Sequence, residues 1–129
     1  MLDEFPIRIY PYRVYYADTD AGGVVYYAQY LRMFEQARTL YLEDSGISLI
    51  EFAAQNCLFV CRRAEIDYLS PARLGDVLTV STGIAEMGRT CIRFAYRIVC
   101  ENRKDGEGNL LCVAEGITQM AAVREKEGG

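Results

Sequence analysis

Between Tyr27 and Asp44 apolar side chains recur every three or four residues, at Tyr30, Met33, Phe34, Ala37, Leu40 and Tyr41, with Arg32, Glu35, Gln36 and Glu43 between them. That spacing is one face of an α-helix. Gly46 stands just past its end, and Ser45 or Ser48 can open a second short helix through Ile47 to Gln55. Beyond that point the period changes to two. Leu58, Val60, Ala64, Ile66 and Tyr68 fall on one side of an extended chain, opposite Cys61, Arg63, Glu65 and Asp67. Leu78, Val80, Thr82 and Ile84 repeat the alternation, and so do Ile92, Phe94, Tyr96, Ile98 and Cys100. Such alternation marks half-buried strands. Turns between them are supplied by Pro71 with Gly75, by Gly88, and by Asp105-Gly106. A further strand, from Arg8 through Tyr16, precedes the helix. The last run, Leu110 to Val123, is poor in polar residues on both faces. It is either a central strand buried within one chain or a strand with the helix on one face and a second copy on the other. The fold class is α+β, a curved antiparallel sheet packed against one central helix.

At 129 residues the chain forms one domain, 1–129, able to bury roughly two thirds of the surface its unfolded form exposes. A formal net charge of −4 and the lack of a dense Lys/Arg block argue against nucleic acid as a partner. No apolar run approaches the ~20 residues of a membrane span, and Asp3 and Glu4 stand where a signal peptide carries positive charge. A cytoplasmic location without membrane insertion is expected. The five cysteines are an odd number, and Cys57 and Cys61 lack the second ligand pair of a zinc site, so reduced and mostly buried thiols with no metal are expected. There is no histidine anywhere. If the chain is an enzyme, a carboxylate is its base or nucleophile.

Asp18-Thr19-Asp20-Ala21-Gly22-Gly23 runs directly toward the helix. Its plainest reading is a loop, since Asp and Gly favour turns and Asp caps helices. A calcium loop is rejected because Gly22 and Gln29 stand where two oxygen ligands belong. A catalytic reading rests on chemistry. Glycines admit a ligand close to the backbone, and a helix start offers unpaired N–H groups at the positive end of a dipole worth about half a charge. A carbonyl oxygen held there is polarised toward an oxyanion, while a neighbouring carboxylate attacks the carbon or activates water. The bulky Val24-Val25-Tyr26-Tyr27 is an awkward helix start by propensity, a conflict more often tolerated at functional sites.

The string Asp18-Thr19-Asp20-Ala21-Gly22-Gly23-Val24-Val25-Tyr26-Tyr27, with Tyr30 and the helical Glu35-Gln36-Ala37-Arg38, resembles the 4-hydroxybenzoyl-CoA thioesterase-like branch of the hotdog superfamily. Within it, the YbgC-type acyl-CoA thioesterases associated with the Tol-Pal envelope system are most similar. The likeness continues through Tyr68-Leu69-Ser70-Pro71-Ala72-Arg73-Leu74-Gly75-Asp76. It implies a hotdog fold, five antiparallel strands wrapped around one long helix. It also implies edge-to-edge dimers, often dimers of dimers, with active sites at the subunit interface.

The family's catalytic aspartate matches Asp20, with Asp18 as a supporting residue at the substrate. Its oxyanion donor matches the backbone N–H of Tyr27, with Gly23 permitting close approach. YbgC-type enzymes usually carry histidine at the Tyr27 position, whereas the 4-hydroxybenzoyl-CoA enzymes carry tyrosine. A backbone donor survives that exchange; a histidine side-chain contribution does not. Coenzyme A calls for a cationic rim around an apolar channel, for which Arg89 and Arg62 (or Arg63) are candidates, while Tyr26, Tyr27 and Phe59 are candidates for narrowing the pocket. The implied activity is hydrolysis of a short-chain or aromatic acyl-CoA, or an acyl carrier protein conjugate, without a separate cofactor. The alternatives are an acyl-binding module without turnover and, more remotely, a hotdog dehydratase, which commonly relies on histidine.

Overall fold

The computed structural model describes residues 5–124. Strand β1 (Arg8–Arg13) leads through a short 3-10 turn (Tyr16–Asp18) to helix α1 (Gln29–Asp44) and the short α2 (Leu49–Ala54). Four long strands follow, β2 (Cys57–Tyr68), β3 (Val77–Met87), β4 (Cys91–Lys104) and β5 (Leu110–Arg124). They form one five-stranded sheet in the order β1-β3-β4-β5-β2, every neighbouring pair antiparallel. This is the hotdog arrangement, the sheet curled around α1. Among the described residues no helix is long and apolar enough to cross a membrane.

The helix is seated by its apolar face. Tyr30, Met33, Phe34, Ala37 and Tyr41 are buried against Leu78, Val80, Phe94, Tyr96 and Ile98 of the sheet. Phe34 lies parallel to Tyr96 with ring centroids 4.2 Å apart, and Tyr41 meets Phe94 edge-on. Burying a side chain the size of Phe34 contributes about 1.5–3 kcal/mol. Close approach here depends on Gly116 in β5. A methyl group on that glycine would lie 2.6 Å from a Phe34 ring carbon and 2.5 Å from the Glu65 carbonyl oxygen.

Several expectations shift in register. The helix starts at Gln29 rather than Tyr27, because Tyr26 to Gln29 close a tight turn first, the Gln29 N–H bonding to the Tyr26 carbonyl at 2.9 Å. Leu40 is exposed while Leu42 is buried, since the last helical turn is covered from the α2 side, where Leu42, Leu49 and Phe59 line one small cavity. Tyr15 and Tyr16 lie beyond the end of β1 and are exposed.

In β2 the single face expected for Leu58 through Tyr68 is split. Cys61 pairs with Met120 and Arg63 with Gln119, leaving Arg62 as an extra, bulged residue. An extra residue reverses which parity faces inward. Phe59 therefore points to the core side and Ile66 does too, while Leu58 and Val60 are exposed. All five cysteines are free, but only Cys100 is buried; Cys57, Cys91 and Cys112 are half-buried and Cys61 is exposed. The apolar character of β5 matches a strand flanked by β4 and β2.

Replacing Gly116 by Ala should destabilise the protein by about 1–3 kcal/mol, the usual cost of overpacking a filled core. A urea midpoint that drops at unchanged slope is the expected result; an unshifted midpoint would show that α1 is not held at this contact.

Candidate active site

The Asp/Gly segment folds as a tight hairpin that ends at the helix. The Tyr26 N–H bonds to the Asp18 carbonyl at 2.9 Å, Thr19 bridges Val25, and the Asp20 N–H bonds to the Val24 carbonyl at 2.9 Å. At the tip, the Gly22 N–H donates to Asp20 Oδ1 at 2.8 Å and the Gly23 N–H to the Asp20 carbonyl at 3.1 Å. Gly23 has φ of +80° with open space around the position a Cβ would take. Backbone conformation, more than room for an approaching ligand, is what calls for glycine here.

The two carboxylates have opposite environments. Asp18 is buried, its Oδ1 accepting from the Tyr12 hydroxyl and its Oδ2 from the Tyr15 N–H, both at 2.9 Å. Expected as a support at the substrate, it is turned inward with both oxygens occupied. Burial together with the Asp18 hydrogen bond pushes the Tyr12 phenol up to about 12, so it remains a donor. Asp20 is exposed at the hairpin tip, and its second oxygen, Oδ2, has no hydrogen-bond donor among the described residues.

Where the hairpin meets α1, the N–H groups of Tyr27 and Ala28 have no acceptor among the described residues. Ala28 is the helix N-cap and Tyr27 directly precedes it, so both N–H groups stand at the positive end of the helix dipole. Tyr26 and Tyr27 are exposed, their ring centroids 4.7 Å apart. Tyr68, from the end of β2, stands edge-on to Tyr27 and Tyr30 and reaches the Tyr27 carbonyl with its hydroxyl at 3.3 Å. The hairpin thus carries a free carboxylate at its tip and free N–H donors at its base.

A second layer fixes this segment. The Val25 N–H bonds to the Ala72 carbonyl at 2.8 Å, and the Ala72 N–H bonds to the Tyr30 hydroxyl at 3.3 Å. Burial pushes the Tyr30 phenol up. Asp76, itself buried, accepts from the Arg73 N–H and from Arg103, whose guanidinium also bonds to the Pro71 carbonyl. Tyr12, Tyr68 and Arg103 were not singled out from the sequence as site residues. Tyr12 and Tyr68 each sit on a strand end that abuts the hairpin, a juxtaposition no local pattern announces; Arg103 lies in a charged stretch that reads as solvated.

Other predicted residues lie apart. Arg89 is exposed in the β3–β4 turn. The hairpin adjoins the opposite end of β3, since Val14, just after β1, bonds through its N–H to the Asp76 carbonyl. The eleven residues of β3 separate them, about 35 Å at strand rise. Arg62 is exposed on the β2 bulge, and Arg63 pairs with Glu65. Phe59 stacks on Phe52 near α2 rather than beside Tyr26 and Tyr27.

With this geometry described, comparison with known proteins is specific. Residues 14–128 match the model of the thioesterase-like superfamily. The chain is 44% identical over 112 residues to an acyl-CoA thioester hydrolase YbgC of Escherichia coli O6:H1, covering 86% of this chain and 84% of that one. It is 45% identical over 117 residues to the acyl-CoA thioesterase YbgC of Haemophilus influenzae, covering 88% and 79%. A 1,4-dihydroxy-2-naphthoyl-CoA thioesterase structure from Synechocystis superposes with a TM-score of 0.82 at 28% identity, covering 95% of this chain and 85% of that one. The chain therefore belongs to the thioesterase-like superfamily of hotdog-fold proteins, among the relatives of the YbgC-type acyl-CoA thioesterases.

Proposed function

We propose that the chain hydrolyses the thioester of an acyl-CoA, with Asp20 as its carboxylate and the Tyr27 and Ala28 N–H groups as its oxyanion donors. One observation carries this reading: an exposed carboxylate and unpartnered helix-start donors share one hairpin. The names of the similar proteins, which are acyl-CoA and naphthoyl-CoA thioester hydrolases, support it.

The steps follow from the chemistry of the groups. Acting as base, Asp20 takes a proton from water while the oxygen adds to the thioester carbon. The carbonyl oxygen becomes an oxyanion facing the Tyr27 and Ala28 donors, the C–S bond breaks, and the departing thiolate recovers the proton. Acting as nucleophile, Asp20 itself displaces the thiolate, and water then hydrolyses the mixed anhydride. A single oxyanion donor is worth about 2.7–4 kcal/mol in the transition state. Asp18 contributes by holding the hairpin rather than by touching substrate. The exposed Tyr26 and Tyr27 flank the donors, which suits a short or aromatic acyl group.

A second copy completes the site in this reading. β2 is an edge strand, its Tyr68 end beside Tyr27 and its Cys57 end at the same end of the sheet as the β3–β4 turn, with β5 between them. Pairing two such edges antiparallel about a two-fold axis brings the β3–β4 turn of one copy, with its Arg89, toward the hairpin of the other. There it meets the phosphates of coenzyme A. An acyl carrier protein substrate lacks that nucleotide and makes no use of Arg89.

Three outcomes check the reading. Asp20→Asn should lower kcat by about 10²–10⁴-fold while the melting temperature and the affinity for a non-hydrolysable acyl-CoA thioether stay unchanged. Near-normal turnover in that variant excludes Asp20, and single turnover in heavy-oxygen water distinguishes the two routes by whether label enters the carboxylate. Arg89→Ala should raise KM for acyl-CoA by roughly three- to ten-fold, about 0.7–1.4 kcal/mol, and leave acyl-pantetheine kinetics unaltered. Light scattering should return a multiple of the 14.6 kDa chain mass, with specific activity falling on dilution; a fully active monomer would place the complete site in one chain.

A further inference from the structure

Tyr68 lies outside the acyl-transfer machinery just described, yet it is joined to it. Its hydroxyl donates to the Tyr27 carbonyl at 3.3 Å, and its ring packs edge-on against Tyr27, centroids 6.4 Å apart, and against Tyr30, 5.5 Å apart. The peptide that links Tyr27 to Ala28 is planar, so fixing its carbonyl also fixes the direction of the Ala28 N–H. The preceding peptide is fixed from within the turn, where the Tyr26 carbonyl accepts from the Gln29 N–H at 2.9 Å. The Tyr27 carbonyl has a poorer partner within the turn, the Tyr30 N–H at 3.4 Å. Tyr68 makes up that deficit from a different element.

We propose that Tyr68 is a positioning residue of the oxyanion site. It holds the Tyr27–Ala28 peptide so that its N–H aims where negative charge develops. This assignment rests on the acyl-transfer reading above. Two physical effects act together. A donor on the carbonyl polarises the peptide and makes its N–H a stronger donor, and the edge-on ring contacts keep the turn from rocking. At 3.3 Å the bond is long for a hydroxyl donor, as hydrogen bonds of catalytic sites often are without substrate. Because Tyr68 terminates the edge strand β2, the same side chain ties that sheet edge to the start of α1.

The test is Tyr68→Phe, which removes the hydroxyl and keeps the ring. A merely structural tyrosine on this exposed surface would alter stability, or substrate binding and turnover together. A positioning residue alters turnover alone. The expected result is a three- to ten-fold fall in kcat, with KM and the Kd of a non-hydrolysable acyl-CoA thioether within two-fold of the parent and the melting temperature unchanged. Tyr16→Phe, on an exposed ring in the same region, serves as control and should leave all four quantities unaltered. Tyr68→Leu, which also removes the ring, should lower kcat further than Tyr68→Phe. A kcat within two-fold of the parent in Tyr68→Phe, or a fall in kcat matched by equal weakening of thioether binding, overturns the assignment while leaving the acyl-transfer reading intact. A parent protein without turnover on any acyl-CoA overturns both.

Discussion

The contact on which the rest of this structure depends is that of Phe34 with the sheet. The helix approaches closely at one point, where Gly116 leaves room for the ring and Tyr96 lies flat against it. Because a helix is a rigid rod, seating it at Phe34 also determines where its first turn comes to rest. Immediately before that turn stand the free N–H groups of Tyr27 and Ala28. A packing contact in the core therefore sets the placement of donors at the surface, nearly two helical turns away. Errors there would be carried to the site undiminished, since a close-packed interior transmits displacement rather than absorbing it.

The hairpin is held by a different kind of force. Few apolar contacts secure it; Val25 is its buried apolar residue, and the rest is hydrogen bonding. Asp18 is the central element, a buried carboxylate satisfied by the Tyr12 hydroxyl and the Tyr15 N–H. Removing one partner from such a group costs more than the bond itself contributes, because the orphaned charge stays desolvated. The two aspartates of one short motif thus divide between them the requirements of a site: one is spent on rigidity inside the fold, the other is left free outside it. Arg103 and Asp76 perform the same service for the loop around Ala72, whose carbonyl holds Val25.

Much of the fold was legible because it rests on period. The switch from helical spacing to alternation identified α1 and the four long strands, since burial on one face imposes that pattern directly. What the pattern could not convey was the reversal of parity in β2. Leu58, Val60, Ala64 and Ile66 read as one apolar stripe, but the Arg62 bulge turns its first half outward. A bulge is a property of pairing between two strands, and neither strand records it alone. The same limit applies at the site. Asp20 and Tyr27 were visible in one contiguous string, whereas Tyr68 and Arg103 come from strands distant in sequence and Tyr12, though near, lies on a separate strand. Asp18 and Asp20 are the same residue type, and only the family resemblance separated them in sequence; the physical basis of their difference is that Asp18 is buried and Asp20 exposed.

The absence of histidine has a structural counterpart in this arrangement. An imidazole can supply a proton, a positive charge and a hydrogen-bond donor from a single side chain. In the proposed reaction those duties fall on separate groups: the Asp20 carboxylate handles the proton, and the start of α1 supplies positive potential. The donors belong to the backbone, and backbone donors cannot be retuned by exchanging one residue for another. They can be adjusted only through what holds their peptides. Under the proposed reading the hydroxyl and ring of Tyr68, which reach the Tyr27 carbonyl, are the natural place for such adjustment, and a tyrosine at position 27 is compatible with a donor that is the peptide rather than the side chain.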